Sequence, residues 1–364
     1  MPQLLFQRPL SREYAELGET ETLDRISSAK AALGADLVIL GHHYQRDEII
    51  RFADYRGDSL KLARETANHA LARYIVFCGV HFMAETADIL KPGDQAVILP
   101  NLSAGCSMAD MADIDQVESC WRQIAPLIGD DITPITYVNS AASLKAFVGR
   151  NGGAVCTSSN AQKVLKWALD SKPKTLFFPD QHLGRNSGLA MGYSADEMIV
   201  WDPDKPLGGN TEDDIRRARF ILWKGHCSVH GRFTVGQIEE ARRTHPDVRV
   251  IVHPECTREV VEAADDNGST EYILNTVTAA PSGTVFGIGT EINLVNRLAR
   301  ENPDKTIFCL DPVVCPCATM YRIHPSFLLW VLDNLLQGKV VNRITVPELI
   351  RTEAKLALDR MLSV

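Results

Sequence analysis

The chain has 364 residues, 45% of them hydrophobic, a net charge of −8 and nine cysteines. This length suits two or three domains with sizeable cores, and the acidic balance excludes a phosphate-backbone binder, which needs a surplus of Lys and Arg. The N-terminal MPQLLFQRPLSREYAEL has no apolar core of secretory length, and FLLWVLDNLL is short and broken by Asp333; the expectation is a cytoplasmic protein with no membrane partner and with reduced thiols.

From Ala35 onward, apolar strand-like runs alternate with helical stretches, the pattern of parallel sheets covered by helices. DLVILGHHYQ, RYIVFCGVHFM and QAVILPN come first. DITPITYVNS, GGAVCTSSN, KTLFFPDQHLG and DEMIVWD follow, and then VRVIVHPEC, STEYILNT, GTVFGIGTEI and KTIFCLDPVVC. These group into three α/β/α units, expected at residues 1–112, 113–224 and 225–324. Two helices close the chain, one over about Ser326–Gln337 stopped by Gly338, the other opened by the Thr345, Pro347, Glu348 capping pattern. Both are expected to pack, as residues 325–364, on the first unit.

Each unit has an apolar strand ending in two polar residues spaced by one: His42 and Tyr44, Tyr137 and Asn139, His253 and Glu255. A cysteine follows tens of residues later in a Gly- or Pro-containing loop: Cys106, Cys227 and Cys317. One thiolate per repeat suggests a shared metal centre with an open position, either a [4Fe-4S] cluster or zinc. A buried thiol is the competing reading for each cysteine, and Cys78, Cys120, Cys156 and Cys309 are read that way. In open parallel sheets, ligands bind beyond the carboxyl ends of the strands. The residues expected there are His42, Tyr44, Ser59, Tyr137, Asn139, Thr157, Ser158, His253, Glu255, Ser269, Thr270, Thr290 and Glu291.

Adjacent histidines in GHHY project in different directions, so one binds an anion more readily than both chelate a metal. His253 and Glu255, two apart, suit an acid and base pair. GDSL resembles an esterase signature but lacks a preceding apolar strand and an Asp-x-x-His partner; helix capping or anion binding by Ser59 is the better reading. GIGTEI lacks the third glycine of a dinucleotide fingerprint, and RRAR at Arg216–Arg219 reads as solvated surface.

Taken in order, GHHYQRDEI, GDSL, FCGVHFMAETADIL, GCSMADM, TYVNS, CTSSNA, FFPDQHLG, WKGHCSVH, VHPEC, GST, IGTE and CPCATM closely resemble the quinolinate synthase family, the A protein of bacterial NAD biosynthesis, from about Ala35 to Tyr321. The resemblance implies three α/β/α units related by pseudo-threefold symmetry, with the active site and one [4Fe-4S] cluster at their junction. It implies condensation of iminoaspartate with dihydroxyacetone phosphate. Carried over motif by motif, the ligands are Cys106, Cys227 and Cys317, leaving one iron open, and Cys317 is preferred to Cys315 because it stands three before Met320. Glu255, His253 and Tyr44 would do the acid and base work, with Tyr137 bonding substrate. His42, Ser59, Asn139, Ser158, Ser269 and Thr270 would grip anionic groups, and His230 is either a further pocket residue or a support of the cluster. Coupling to L-aspartate oxidase, which would supply the iminoaspartate, is a further expectation. A zinc lyase and an iron-sulfur sensor are the rival classes; no basic or partner-binding surface is found for the sensor.

Overall fold

The structure, a computed structural model, describes residues 6–68, 71–313 and 316–364. Its thirteen parallel strands form three sheets. The first holds β1 (Leu37–His42), β2 (Tyr55–Gly57), β3 (Tyr74–Cys78) and β4 (Ala96–Ile98); the second holds β5 (Ile132–Tyr137), β6 (Ala154–Cys156), β7 (Lys174–Phe178), β8 (Met198–Trp201) and β9 (Phe220–Trp223); the third holds β10 (Arg249–Val252), β11 (Asp266–Asn267), β12 (Val285–Gly289) and β13 (Thr306–Cys309). A short β14 (Arg343–Ile344) adds antiparallel to β4. The chain divides into two compact units, one carrying the first sheet and helix Pro325–Leu336, the other carrying the second and third sheets and the last helix.

All three sheets share one plan. The first strand lies between the second and the third, and a fourth lies outside the third: β2-β1-β3-β4, β6-β5-β7-β9 and β11-β10-β12-β13. In this order the chain leaves the first strand in opposite directions along the sheet, so a crevice opens beyond the carboxyl end of the first strand. Every residue of β3 and of β5 is buried, which is why they read as continuous apolar runs rather than alternating ones.

The structure departs from expectation in four places. STEYILNT is not a strand: Ser269 caps a helix, Thr270–Ala279, accepting from Tyr272 N (3.3 Å), and the strand there is the dipeptide Asp266–Asn267. FILW, not expected as a strand, is β9. The strand before GDSL, β2, is the polar YRG, as expected not an apolar one, but the cap of helix Ser59–Asn68 is Asp58, whose Oδ1 accepts from Lys61 N (2.9 Å), rather than Ser59.

The fourth departure concerns the closing helices, which part company. Pro325–Leu336 belongs with the first sheet, where Asp333 pairs with Arg25 at 2.6 Å. The last helix, Glu348–Ser363, instead lies along the second sheet's layer: Arg360 Nη1 donates to the carbonyls of Gly149 (3.1 Å) and Gly153 (2.6 Å), and Asn160 Nδ2 donates to that of Met361 (3.3 Å). Gly149 permits this approach, because a Cβ there would overlap the Glu353 carbonyl oxygen. Gly149→Ala is therefore expected to lower the unfolding free energy by roughly 1–3 kcal/mol in urea melts; an unchanged midpoint would show that the helix docks loosely.

Candidate active site

The repeated plan places chemistry at repeated positions. The polar pairs close the first strand of each sheet: His42 and Tyr44 at β1, Tyr137 and Asn139 at β5, His253 and Glu255 at β10. A serine stands two positions after each second strand: Ser59, Ser158 and Ser269. Helices begin beside these serines, at Ser59, Ala161 and Thr270, so backbone N–H groups and the positive helix end face each strand terminus. The cysteines follow the fourth strands β4, β9 and β13.

The three cysteines share a register. Three residues after each, a one-turn 3-10 helix begins: Ala109–Met111, His230–Arg232 and Met320–Arg322. In each turn an N–H donates back three residues at the same offset: Met111 to Met108 (3.1 Å), Arg232 to Val229 (3.3 Å) and Arg322 to Thr319 (3.2 Å). Seven residues after each cysteine stands the capping residue of an α-helix, Asp113, Thr234 or His324, whose side chain accepts a backbone N–H. By sequence Cys315 is two positions out of this register, and it lies outside the described residues.

Within the unit of the second and third sheets, several of these side chains meet. Tyr137 Oη donates to Glu255 Oε1 (2.5 Å), and His230 Nδ1 is hydrogen-bonded to Glu255 Oε2 (2.6 Å). His230 Nε2 lies 3.2 Å from Thr290 Oγ1, and its ring stacks on His253 at 4.3 Å. Cys227 Sγ completes the group, with one donor atom each from Cys227, His230 and Glu255 all within 4.8 Å of one another.

Burial alone would raise the Glu255 carboxyl, but the imidazoles of His230 and His253 and the hydrogen bonds from His230 and Tyr137 outweigh it, holding the group well below the usual carboxylate range. Burial, then the neighbouring His230, pushes His253 down to about 3. The site thus presents a buried carboxylate beside a neutral imidazole. Asn139 Oδ1 is buried with no hydrogen-bond partner, an acceptor available to a ligand. In the other unit, His42 Nδ1 accepts from Tyr44 N (3.1 Å) and the two rings meet edge to face at 4.7 Å. The same turn recurs as Glu255 N to His253 Nδ1 (3.4 Å). Cys317 Sγ lies 3.4 Å from Thr319 Oγ1.

The remaining cysteines separate from the three in repeat register. Cys78, Cys120 and Cys156 are buried, as expected, and burial pushes the Cys78 thiol up to about 12. Cys309, expected in the core, is half-buried, with burial again the main reason its thiol rises to about 11.

Two residues of this neighbourhood escaped the reading of the sequence. Asn186 Nδ2 donates to the carbonyls of Pro254 and Cys256, both at 2.9 Å, and so clamps the turn that carries Glu255. Nothing in LGRNSG signals it, because its partners lie about seventy positions away. Asn186→Ala is expected to lower kcat on the order of tenfold by loosening that turn and to cost about 2 kcal/mol. Asn186→Asp, with an oxygen facing two carbonyls, should do no better. Wild-type kcat in both variants would show that the clamp does not position Glu255.

Asp180 is the second. It caps helix Gln181–Ala190 through Oδ1 (2.7 Å from His182 N), while its buried Oδ2 has no partner. Burial, then the charge of Glu255, raises its carboxyl well above the usual range. The two buried acids are thus pushed in opposite directions, Glu255 down and Asp180 up. Asp180→Asn, neutral and a good cap, should leave the melting temperature unchanged, whereas Asp180→Ala should cost about 1 kcal/mol. A large loss in Asp180→Asn would mean that the native group is charged.

Comparison with known proteins gives the family. A family model described as "NadA: Quinolinate synthetase A protein" matches residues 24–202 and 189–363. The chain is 58% identical over 359 residues to a quinolinate synthase of Corynebacterium glutamicum, covering 98% of this chain and 91% of that one. It is 55% identical over 361 residues to one of Herpetosiphon aurantiacus (97% and 95% covered) and 56% identical over 355 residues to one of Geobacillus kaustophilus (97% and 96% covered). The chain belongs to the quinolinate synthase family. It is an enzyme of that family, and its three parallel-sheet α/β units agree with the fold the family implies. Among the described residues no helix is long and apolar enough to cross a membrane.

Proposed function

We propose that this quinolinate synthase condenses iminoaspartate with dihydroxyacetone phosphate to give quinolinate, phosphate and water, with one [4Fe-4S] cluster per chain held by Cys106, Cys227 and Cys317. The common register of the three cysteines, each the same distance from its 3-10 turn and its helix cap, carries the reading. The donor set fits such a cluster, which needs thiolates: these three are half-buried in loops, whereas Cys78, Cys120, Cys156 and Cys256 are buried in the core with their thiols raised by burial. When bound through three cysteines, the cluster supplies one iron as a Lewis acid toward substrate oxygen and nitrogen.

The chain's own residues take the remaining work. Glu255, kept ionised, accepts protons from carbon or oxygen of the substrate, and His253 and Tyr44 hold and return them. Tyr137, already donating to Glu255, turns its hydroxyl toward substrate when that carboxylate is protonated. Asn139 accepts a substrate N–H or O–H at its unpartnered Oδ1. His42, Ser59, Ser158, Ser269 and Thr270, with the helix starts beside them, bind the two carboxylates and the phosphate.

Anaerobic purification with iron, sulfide and zinc analysis, followed by a quinolinate assay with iminoaspartate generated in place, tests this. Four irons and four sulfides with quinolinate formed support it; zinc-free protein that takes up neither iron nor sulfide on anaerobic reconstitution, and forms no quinolinate, overturns it. The cytoplasm, where thiols stay reduced, is the compartment this chemistry fits. The lability of iminoaspartate motivates functional coupling to the L-aspartate oxidase that makes it; an undiminished yield with the two enzymes separated by a dialysis membrane would discard the coupling.

A further inference from the structure

The geometry points to a second, mononuclear metal site on this chain: in the protein without its cluster, Cys227 Sγ, His230 Nδ1 and Glu255 Oε2 bind one thiophilic borderline divalent cation such as Zn2+ or Co2+. One donor atom from each of the three residues lies within 4.8 Å of the others, with His230 and Glu255 buried. Cys227 and His230 stand three apart across the start of one 3-10 turn, which presents both to the same side. Thiolate, imidazole and carboxylate with a fourth position open is a donor set zinc takes in tetrahedral sites.

The neighbours of the ligands are already arranged for this. His230 Nε2 faces Thr290 Oγ1 at 3.2 Å, so a hydrogen on Nε2 donating there leaves the Nδ1 lone pair for the ion. Tyr137 Oη occupies Glu255 Oε1 and leaves Oε2 to coordinate. Such supporting bonds fix ligand orientation in metal sites. Nδ1 and Oε2 now meet in a hydrogen bond, 2.6 Å apart, where the cation would enter. Around a tetrahedral ion the donors stand roughly 3.3–3.8 Å apart. The Nδ1 to Oε2 contact therefore opens, while the widest gap, at most 4.8 Å, closes by about an ångström.

This site uses one of the three cysteines proposed for the cluster and neither of the others. Cation and cluster exclude each other, and zinc bound here holds the chain in a form that cannot accept a cluster. The test is titration of cluster-free full-length protein, under reducing anaerobic conditions, with Co2+ alone. One equivalent should bind with a thiolate-to-cobalt charge-transfer band and the intense d–d bands of four-coordinate cobalt. Cys106→Ser and Cys317→Ser should leave the spectrum and affinity unchanged, although both remove the cluster. His230→Ala and Glu255→Gln should weaken binding at least tenfold. Thr290→Val, which removes a hydroxyl and little else, should weaken it on the order of tenfold. Cobalt binding that vanishes in Cys106→Ser and Cys317→Ser but persists in His230→Ala and Glu255→Gln would overturn the assignment in favour of a three-thiolate site. No thiolate-to-cobalt band at all would overturn it outright. Neither result touches the cluster proposal, which stands or falls on iron and sulfide content.

Discussion

Cys317→Ser abolishes quinolinate formation and drops iron and sulfide to background, while Cys315→Ser retains both: this is the largest expected effect. A serine hydroxyl stays protonated where a thiol ionises, so one ligand is lost and a cluster on three thiolates is left with two. The choice between cysteines two residues apart rests on register. Cys317 stands three before Met320–Arg322 and seven before the cap His324, as Cys106 and Cys227 stand before their own turns and caps. Iron analysis beside the assay separates loss of the cluster from loss of the fold. Full iron in Cys317→Ser, or background iron in Cys315→Ser, would reverse the assignment.

Glu255→Gln is the second large effect, and it should leave iron content intact. Glutamine keeps the shape of the side chain and its carbonyl can still accept from Tyr137, so the variant should fold. It cannot take a proton. General base catalysis is worth about 10²–10⁴ in rate, and kcat should fall by that factor with KM nearly unchanged. A fall of only a few-fold would reduce Glu255 to a structural partner of Tyr137 and His230. That outcome would leave the neutral His253 and Tyr44 to carry the proton chemistry.

Much of the fold was legible because its central strands are buried on both faces: VRVIV, TPIT and LVIL announce themselves as apolar runs. The short strands YRG and DN did not, since they carry no apolar run or period and exist only through pairing with β1 and β10. STEYILNT has strand-like composition, but Ser269 at its head caps a helix, and the cap prevailed over propensity. The polar pairs, the serines and the cysteines were visible as a repeat. Their common spacing to the helix caps was hidden because three different residue types, Asp113, Thr234 and His324, do the capping. Asn186 and the berth of the last helix were invisible for another reason: each depends on partners distant in the chain, and no local pattern encodes a distant carbonyl.

The repeated strand order has an evolutionary consequence. A trimer of one such unit would carry the same side chain at every equivalent position, and any substitution would appear three times. Here three copies lie in one chain, and the second member of the polar pair has become Tyr44 in one, Asn139 in another and Glu255 in the third. Copies joined in one chain can each carry a different side chain, so a phenol, an amide and a carboxylate occupy equivalent positions. An enzyme that binds two unlike substrates needs that asymmetry, while the shared cysteine register is the part of the repeat that stays symmetric.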